Sequence, residues 1–316
     1  MKNTSSSNSF LITGATGFIG SALFRHLVDE GAPVWRMARS SNHARSFPKA
    51  RSIPSPVVAD LATVSQEQLR RLLPEVDVVF HMAAGGVTDL SSDLNNLKAV
   101  NVSGTEKMLL AARDSGVRRF VYLGSCFEYG EGSNLSEDQE LRPISDYAKT
   151  KAEASQAVVE ASPFFEKGSV VLRPFMVYGP GEAPSRLVPY LIQNALTGRQ
   201  IDLTGGEQTR DLVFISDVVQ ALLKASSMRN IQGEVFNICS GHGVSIRTVA
   251  DMVLQLTQSE SKLKLGVLPY REHEAMSIVG SPEKSLKAMG WSAKTSLKEG
   301  LTQTIASVKR GSMADE

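Results

Sequence analysis

An α/β fold with a doubly wound parallel sheet is predicted for these 316 residues by three observations. Short apolar runs alternate with amphipathic stretches of helical period. A Gly-rich turn joins the first run to the first helix, and the alternation lasts to about residue 173. Strands that are apolar almost throughout, separated by helices, belong to a parallel sheet covered on both faces.

In chain order the candidate strands are Phe10–Thr13, Val34–Met37, Asp77–Met82, Arg119–Gly124 and Ser169–Arg173. Between them, periodic apolar positions predict helices over Ile19–Glu30, Asp93–Ser115 and Tyr147–Glu160. From about Pro174 the pattern loosens into loops rich in Gly, Pro and Ser. A helix over Arg186–Thr197 and strands over Asp211–Ile215 and Glu234–Ile238 then follow. Residues 309–316 read as a frayed tail.

Composition excludes several classes of function. Thirty-four basic and 33 acidic residues leave a formal charge of +1, without blocks of like charge, so there is no electrostatic footprint for nucleic acid or an anionic membrane. No apolar run approaches the roughly 18 residues of a membrane span. The polar N-terminus, MKNTSSSNS, lacks the apolar core of a signal peptide. Two cysteines, Cys126 and Cys239, suggest a reducing compartment, and the expected location is the cytoplasm. The five histidines show no metal-ligand spacing, so no metal is expected.

The strand Phe10–Thr13 runs directly into Gly14-Ala-Thr-Gly17-Phe18-Ile19-Gly20 and then a helix. Glycine permits positive φ in the turn, close approach of backbone to a pyrophosphate, and tight packing of helix on strand. The helix N-terminus offers free N–H groups to the phosphates. Placed between strand and helix, the trio predicts a Rossmann dinucleotide site. A nicotinamide enzyme that prefers NAD commonly carries an acid about 20 residues beyond the motif. Here the segment is Val34-Trp-Arg36-Met-Ala38-Arg39-Ser40, with no acid, and Arg39, assisted by Arg36, suits a 2′-phosphate. NADP is therefore expected, with NAD as the alternative. Asp60, followed by Leu61, either accepts from the adenine amino group or caps a helix over Leu61–Leu72.

Tyr147 and Lys151 stand four residues apart, on one face of a helix. An ammonium beside a phenol favours the phenolate, which fits the tyrosine for proton transfer at a carbonyl or hydroxyl. Ser125 lies just beyond the strand Arg119–Gly124, at the sheet edge where ligands sit in doubly wound folds. Asn101, inside the helix Asp93–Ser115, either holds a water in a proton path or bends the helix.

ThrGlyAlaThrGlyPheIleGly, HisMetAlaAla at 81–84, AsnValSerGlyThr at 101–105, GlySerCysPheGluTyrGly at 124–130 and Tyr147-x3-Lys151 occur in the order found in the extended short-chain dehydrogenase/reductases. More narrowly, the chain resembles their nucleotide-sugar epimerase, dehydratase and reductase branch. Segments at 172–181, 208–218 and 291–301 are similar to that branch's substrate-domain signatures, so the likeness spans about residues 9 to 305. The resemblance implies a dinucleotide-binding domain of residues 1–173 plus 211–240, and a smaller substrate domain of 174–210 plus 241–316. It implies Ser125, Tyr147 and Lys151 as the catalytic trio, with Lys151 and Tyr147 also at the cofactor. Phe18, Ile19, Leu61 and Ala83 would line the dinucleotide. Arg210 and Arg271 would clamp the pyrophosphate of a nucleotide-diphosphate sugar, and a homodimer would form through the helices Asp93–Ser115 and Tyr147–Glu160.

Three positions depart from the branch. Met176 stands where many relatives have an asparagine facing the nucleotide diphosphate. Cys126 and Phe127 stand where the 4,6-dehydratases carry Asp and Glu, which argues against water elimination across C5–C6. Glu128-Tyr-Gly resembles certain 4-keto-6-deoxyhexose reductases. The expected activity is NADPH-dependent reduction of such a nucleotide-linked sugar at C4, with NAD-dependent 4-epimerisation as the alternative. Loops around Gly85–Asn95 and Pro180–Pro189 would set specificity.

Overall fold

The structure, a computed structural model, describes residues 8–45, 53–86 and 93–314. It divides into two compact units. The first holds the chain up to Glu128, then Pro143–Arg173 and Val219–Phe236; the second holds Tyr129–Arg142, Pro174–Val218 and the chain from Asn237.

The first unit is built from β1 (Phe10–Thr13), α1 (Phe18–Asp29), β2 (Val34–Ala38), β3 (Val57–Val58), α2 (Gln66–Leu72), β4 (Val78–His81), α3 (Gly104–Asp114), β5 (Arg119–Leu123), α4 (Asp146–Glu160), β6 (Ser169–Pro174) and β7 (Glu234–Ile238). The strands form one seven-stranded sheet in the order β7-β6-β5-β4-β1-β2-β3. Pairing is parallel from β3 across to β6, with Thr13 beside His81 and Leu11 beside Val79. The chain builds outward from β1 to β3 and then returns to lay β4 on the other side of β1, which makes the β1/β4 edge a topological switch point.

Alternation along each strand explains the two covered faces. Leu11, Met37, Val79, Phe120, Tyr122 and Val171 face one way and pack with Leu69 of α2, Met108 and Ala112 of α3, and Ala154 and Val158 of α4. On the opposite face Leu23, Phe24 and Leu27 give α1 its buried stripe.

The predicted elements of this unit form within a residue or two of the expected bounds, with two differences. The helix expected over Asp93–Ser115 is an α-turn at Leu94–Leu97, a π-helical stretch at Lys98–Ser103, and then α3. The helix expected from Leu61 begins only at Gln66, where Ser65 and Gln68 form a reciprocal capping box.

The second unit is assembled from short strands. Gly243–Ser245, Thr209–Phe214, Ser277–Gly280 and Gly132–Leu135 lie side by side, and Met176–Tyr178 adds to Thr209–Phe214. The strand expected over Asp211–Ile215 therefore sits in this sheet and not in the parallel one. Its Asp211 is buried and accepts from the N–H groups of Ser240 and Gly241, which folds the following chain back onto it. Helices Leu187–Leu196 and Ile246–Thr257 pack on each other, and Leu297–Ala314 packs on both. That last helix occupies most of the stretch expected to fray.

Candidate active site

The glycine turn shows why each position is glycine. Gly14 has φ +69°, and a Cβ there would lie 2.7 Å from the Ala83 nitrogen and 2.8 Å from the Met82 carbonyl. A Cβ on Gly20 would fall on the Gly14 carbonyl oxygen, so the third glycine lets α1 close against the turn. Gly17 keeps a negative φ, donates its N–H to Gly14, and opens α1 with no side chain capping it. Phe18 and Ile19 are the first two residues of α1.

Beside this turn, Thr13 accepts from the backbone N–H groups of Met82 and Ala83 and pairs with the His81 ring at 2.8 Å. The far ring nitrogen of His81 meets Thr105 of α3 at 3.0 Å. Burial lowers the His81 pKa to about 3, with Lys151 adding to the fall, so the ring is neutral at any working pH. Ala83 is thus held at the switch point by its own backbone. Asn101 is buried in the π-helical stretch. Its carbonyl accepts from Gly85 N–H at 2.7 Å, and its amide donates to the Gly85 carbonyl and to Thr150 of α4. The amide therefore clamps the loop after β4 to α4, a task the sequence did not disclose.

Ser125, Tyr147 and Lys151 converge on the C-terminal edge of this sheet. Ser125 is buried just beyond β5. Lys151, also buried, donates to the Leu123 carbonyl at 2.6 Å, and its ammonium lies 4.1 Å from the centre of the Tyr122 ring. Burial lowers the Lys151 pKa to about 8 against the opposing pull of Glu128. Half-buried Tyr147 lies one turn earlier on α4, with its ring against Gly86, where an added Cβ would come within 3.3 Å of it. The short helix start is set by Ser145, whose hydroxyl accepts from Ala148 N–H.

Glu128 was missed as a member of this cluster. Its carboxylate accepts from Ser125 N–H at 2.7 Å, from Ser155 at 3.0 Å and from Arg173 at 2.8 Å. Burial pushes its carboxyl up while Arg173 and Lys151 pull it down. Residues at 128, 155 and 173 share no local pattern, so no sequence signal could have joined them.

The adenosine side is less assembled. Arg39 is exposed just past β2, within 3.5 Å of the His43 ring. Arg36 does not join it. The Arg36 side chain is buried on the α1 face, stacks over Phe24 at 4.7 Å and donates to the Pro54 carbonyl, so it cannot assist at a phosphate. Asp60 accepts from Ala62 N–H and its carbonyl from Thr63 and Val64, which caps a turn and not the expected helix. Leu61 is buried against Gly104. Of the Gly85–Asn95 loop, residues 87–92 lie outside the described residues.

In the second unit, buried Arg210 donates to Glu274 at 2.6 Å and to the Thr209 carbonyl. Arg271 is exposed, and its backbone carbonyl accepts from the backbone N–H of Glu274. Met176 is half-buried and pairs with Leu212. Among the described residues no group of His, Cys, Asp and Glu could hold a metal ion, and no helix is long and apolar enough to cross a membrane.

The family model described as "NAD dependent epimerase/dehydratase family" matches residues 10–239. The chain belongs to this family. It is accordingly a nicotinamide-dependent enzyme within the extended short-chain dehydrogenase/reductases. Among solved structures it is similar to MoeE5 in complex with UDP-glucose and NAD, with 31% identity, a TM-score of 0.85, and 96% of this chain and 99% of that one covered. It is 29% identical to a UDP-glucose 4-epimerase of Mycolicibacterium smegmatis over 93% of this chain and 96% of the relative. It is 28% identical to a dTDP-D-glucose 4,6-dehydratase of Bos taurus over 93% and 87% respectively. These likenesses favour the alternative named from the sequence, 4-epimerisation, over the NADPH-dependent reduction that headed it.

Proposed function

We propose that this family member is an NAD-dependent 4-epimerase of a nucleotide-linked sugar. The observation that carries it is the turn after β5. Cys126 and Phe127 offer no acid or base for water elimination, and the carboxylate of Glu128 is committed to Ser125, Ser155 and Arg173. That leaves proton and hydride exchange at one carbon, which the Ser125, Tyr147 and Lys151 arrangement suits. Similarity to MoeE5, solved with UDP-glucose and NAD, supports both the sugar class and the cofactor.

The residues present fit a dinucleotide. Gly14 lets the turn pack on the Met82–Ala83 backbone at the switch point, where a Cβ would clash, and α1 starts just after Gly17 with no side chain capping its N–H groups. NAD, when bound, would supply the acceptor for the C4 hydride and the donor that returns it to the opposite face of the sugar. Tyr147 would take the proton of the C4 hydroxyl and return it to the same oxygen once the sugar has turned its other face to the nicotinamide. Lys151 places a positive charge one helical turn from the phenol and holds the nicotinamide ribose. Ser125 hydrogen-bonds the reacting oxygen. Arg210 and Arg271 hold the pyrophosphate with charged, forked hydrogen bonds. The assembly is a homodimer in this reading.

A second reading, NADPH-dependent reduction of a 4-keto-6-deoxy sugar, is favoured by one observation. The end of β2 carries exposed Arg39 and no acid. Denaturing the purified protein and identifying the released dinucleotide separates the two. Retained NAD, together with C4 interconversion of UDP-glucose, UDP-glucuronic acid or dTDP-glucose followed by NMR, supports the epimerase. An empty site that selects NADPH and shows no interconversion overturns it.

A further inference from the structure

The last residue of β5 and the two that follow it each meet one of two buried, oppositely charged side chains. The Leu123 carbonyl receives the Lys151 ammonium at 2.6 Å. Gly124 faces the Glu128 carboxylate so closely that a Cβ would lie 2.7 Å from its Oε1. Ser125 N–H donates to that same oxygen at 2.7 Å. The carboxylate is held from two further elements, by Ser155 on α4 and Arg173 on β6. Ser155 lies four residues after Lys151, on the same face of α4, so one helix face carries both the buried ammonium and a donor to the buried carboxylate. The Glu128 side chain is 0% exposed and that of Arg173 5%, so water screens neither.

We propose that Glu128 is a positioning residue for the reaction: its carboxylate fixes the end of β5 that presents Ser125 and supplies the counter-charge for Lys151. This rests on the assignment of Ser125 and Lys151 to the catalytic trio. Glu128 touches neither substrate nor cofactor and acts through those two residues. A plain structural ion pair needs only Arg173. Here one oxygen serves Arg173 while the other serves Ser125 and Ser155.

The groups acting on or packed against Lys151 are Tyr122 of β5, His81 of β4 and Glu128, and Tyr147 lies one turn before it on α4. Those facing Glu128 are Arg173, Ser155, Lys151 and Tyr122. His81 is neutral and Tyr122 is pushed further toward its neutral form by burial, which leaves Glu128 as the anion acting on Lys151. Removing that charge lets burial lower Lys151 further.

The test titrates Lys151 directly, by NMR of protein carrying ε-13C lysine, with the resonance assigned by its loss in Lys151→Met. In the native enzyme it titrates near pH 8. In Glu128→Gln, shown to be folded by circular dichroism, it moves down by about one unit or more, and the alkaline limb of the pH–rate profile moves with it. Glu128→Asp, which keeps the charge on a shorter arm, falls between the two. If Glu128→Gln does not fold, the paired change Glu128→Leu with Arg173→Leu is titrated in its place, with a smaller downward shift expected because the Arg173 cation is lost with the anion. An unmoved Lys151 titration in either folded variant overturns the proposal. The titration needs no nucleotide sugar, so failure to find epimerase activity leaves its outcome intact, and an unmoved titration leaves the epimerase reading intact.

Discussion

Lys151 donates its ammonium to the Leu123 carbonyl at 2.6 Å, which ties the second turn of α4 to the residue two before Ser125. Helix and strand edge thereby present tyrosine, lysine and serine at one end of the sheet.

If Tyr147 is the proton carrier, Tyr147→Phe removes one hydroxyl and leaves the ring against Gly86. Turnover should fall ~100- to 10,000-fold while dinucleotide affinity stays near the native value. Ser125→Ala should lose as much or less, and Lys151→Met more, since it also loosens the cofactor. Single-turnover rates beside cofactor affinities check this. A Tyr147→Phe rate above about a tenth of the native one would mean that another residue carries the proton.

The pH dependence follows from the sign of the Lys151 shift. Its pKa is lowered to about 8, so the ammonium is present below pH 8 and lost as pH rises through it. The catalytic rate should hold between pH 7 and 8 and fall by about tenfold per unit beyond. A profile of the turnover number that stays flat to pH 10 would remove Lys151 charge from the mechanism.

His81 makes the opposite statement about stability. Burial drops its pKa from 6.5 to about 3, so the unfolded chain takes up a proton that the native state refuses. Its contribution is fully present above pH 6.5 and is lost as pH falls toward 3, by roughly 1.4 kcal/mol per unit. Denaturant unfolding at pH 7, 6 and 5 should show the native enzyme losing more stability than His81→Gln over the same range. Identical losses would show that His81 does not carry the effect.

The local parts of this architecture were legible in the sequence because each is written within a few residues. The glycine trio needs one turn, and Tyr147 and Lys151 need one helical step. Apolar runs located every strand of the parallel sheet but the two-residue β3. What stayed hidden depends on distant partners. Arg36 and Arg39 look alike in sequence, yet strand alternation sends the first under α1. Asn101 reads as a helix residue, and only the fold brings Gly85 and Thr150 to its amide. The second unit's strands, such as Met176–Tyr178 and Gly243–Ser245, are too short to show a period.

Arg39 decides between the two cofactors. Arg39→Asp replaces a partner for a 2′-phosphate with a repelling carboxylate, so it should weaken NADPH binding far more than NADH binding if that phosphate sits there. Titration calorimetry with both cofactors checks it. Equal effects would assign Arg39 to solvent and leave NAD as the natural ligand.

The central claim, epimerisation at C4, is tested most directly by isotope tracing. UDP-glucose, UDP-glucuronic acid and dTDP-glucose, each carrying deuterium at C4, are incubated with the enzyme and no added reductant. An epimerase that removes hydride and returns it within one active site converts at least one of them to its C4 epimer with the deuterium still at C4. Absence of the epimer from all three, with NADPH oxidised instead when a 4-keto-6-deoxy sugar nucleotide is supplied, would contradict it.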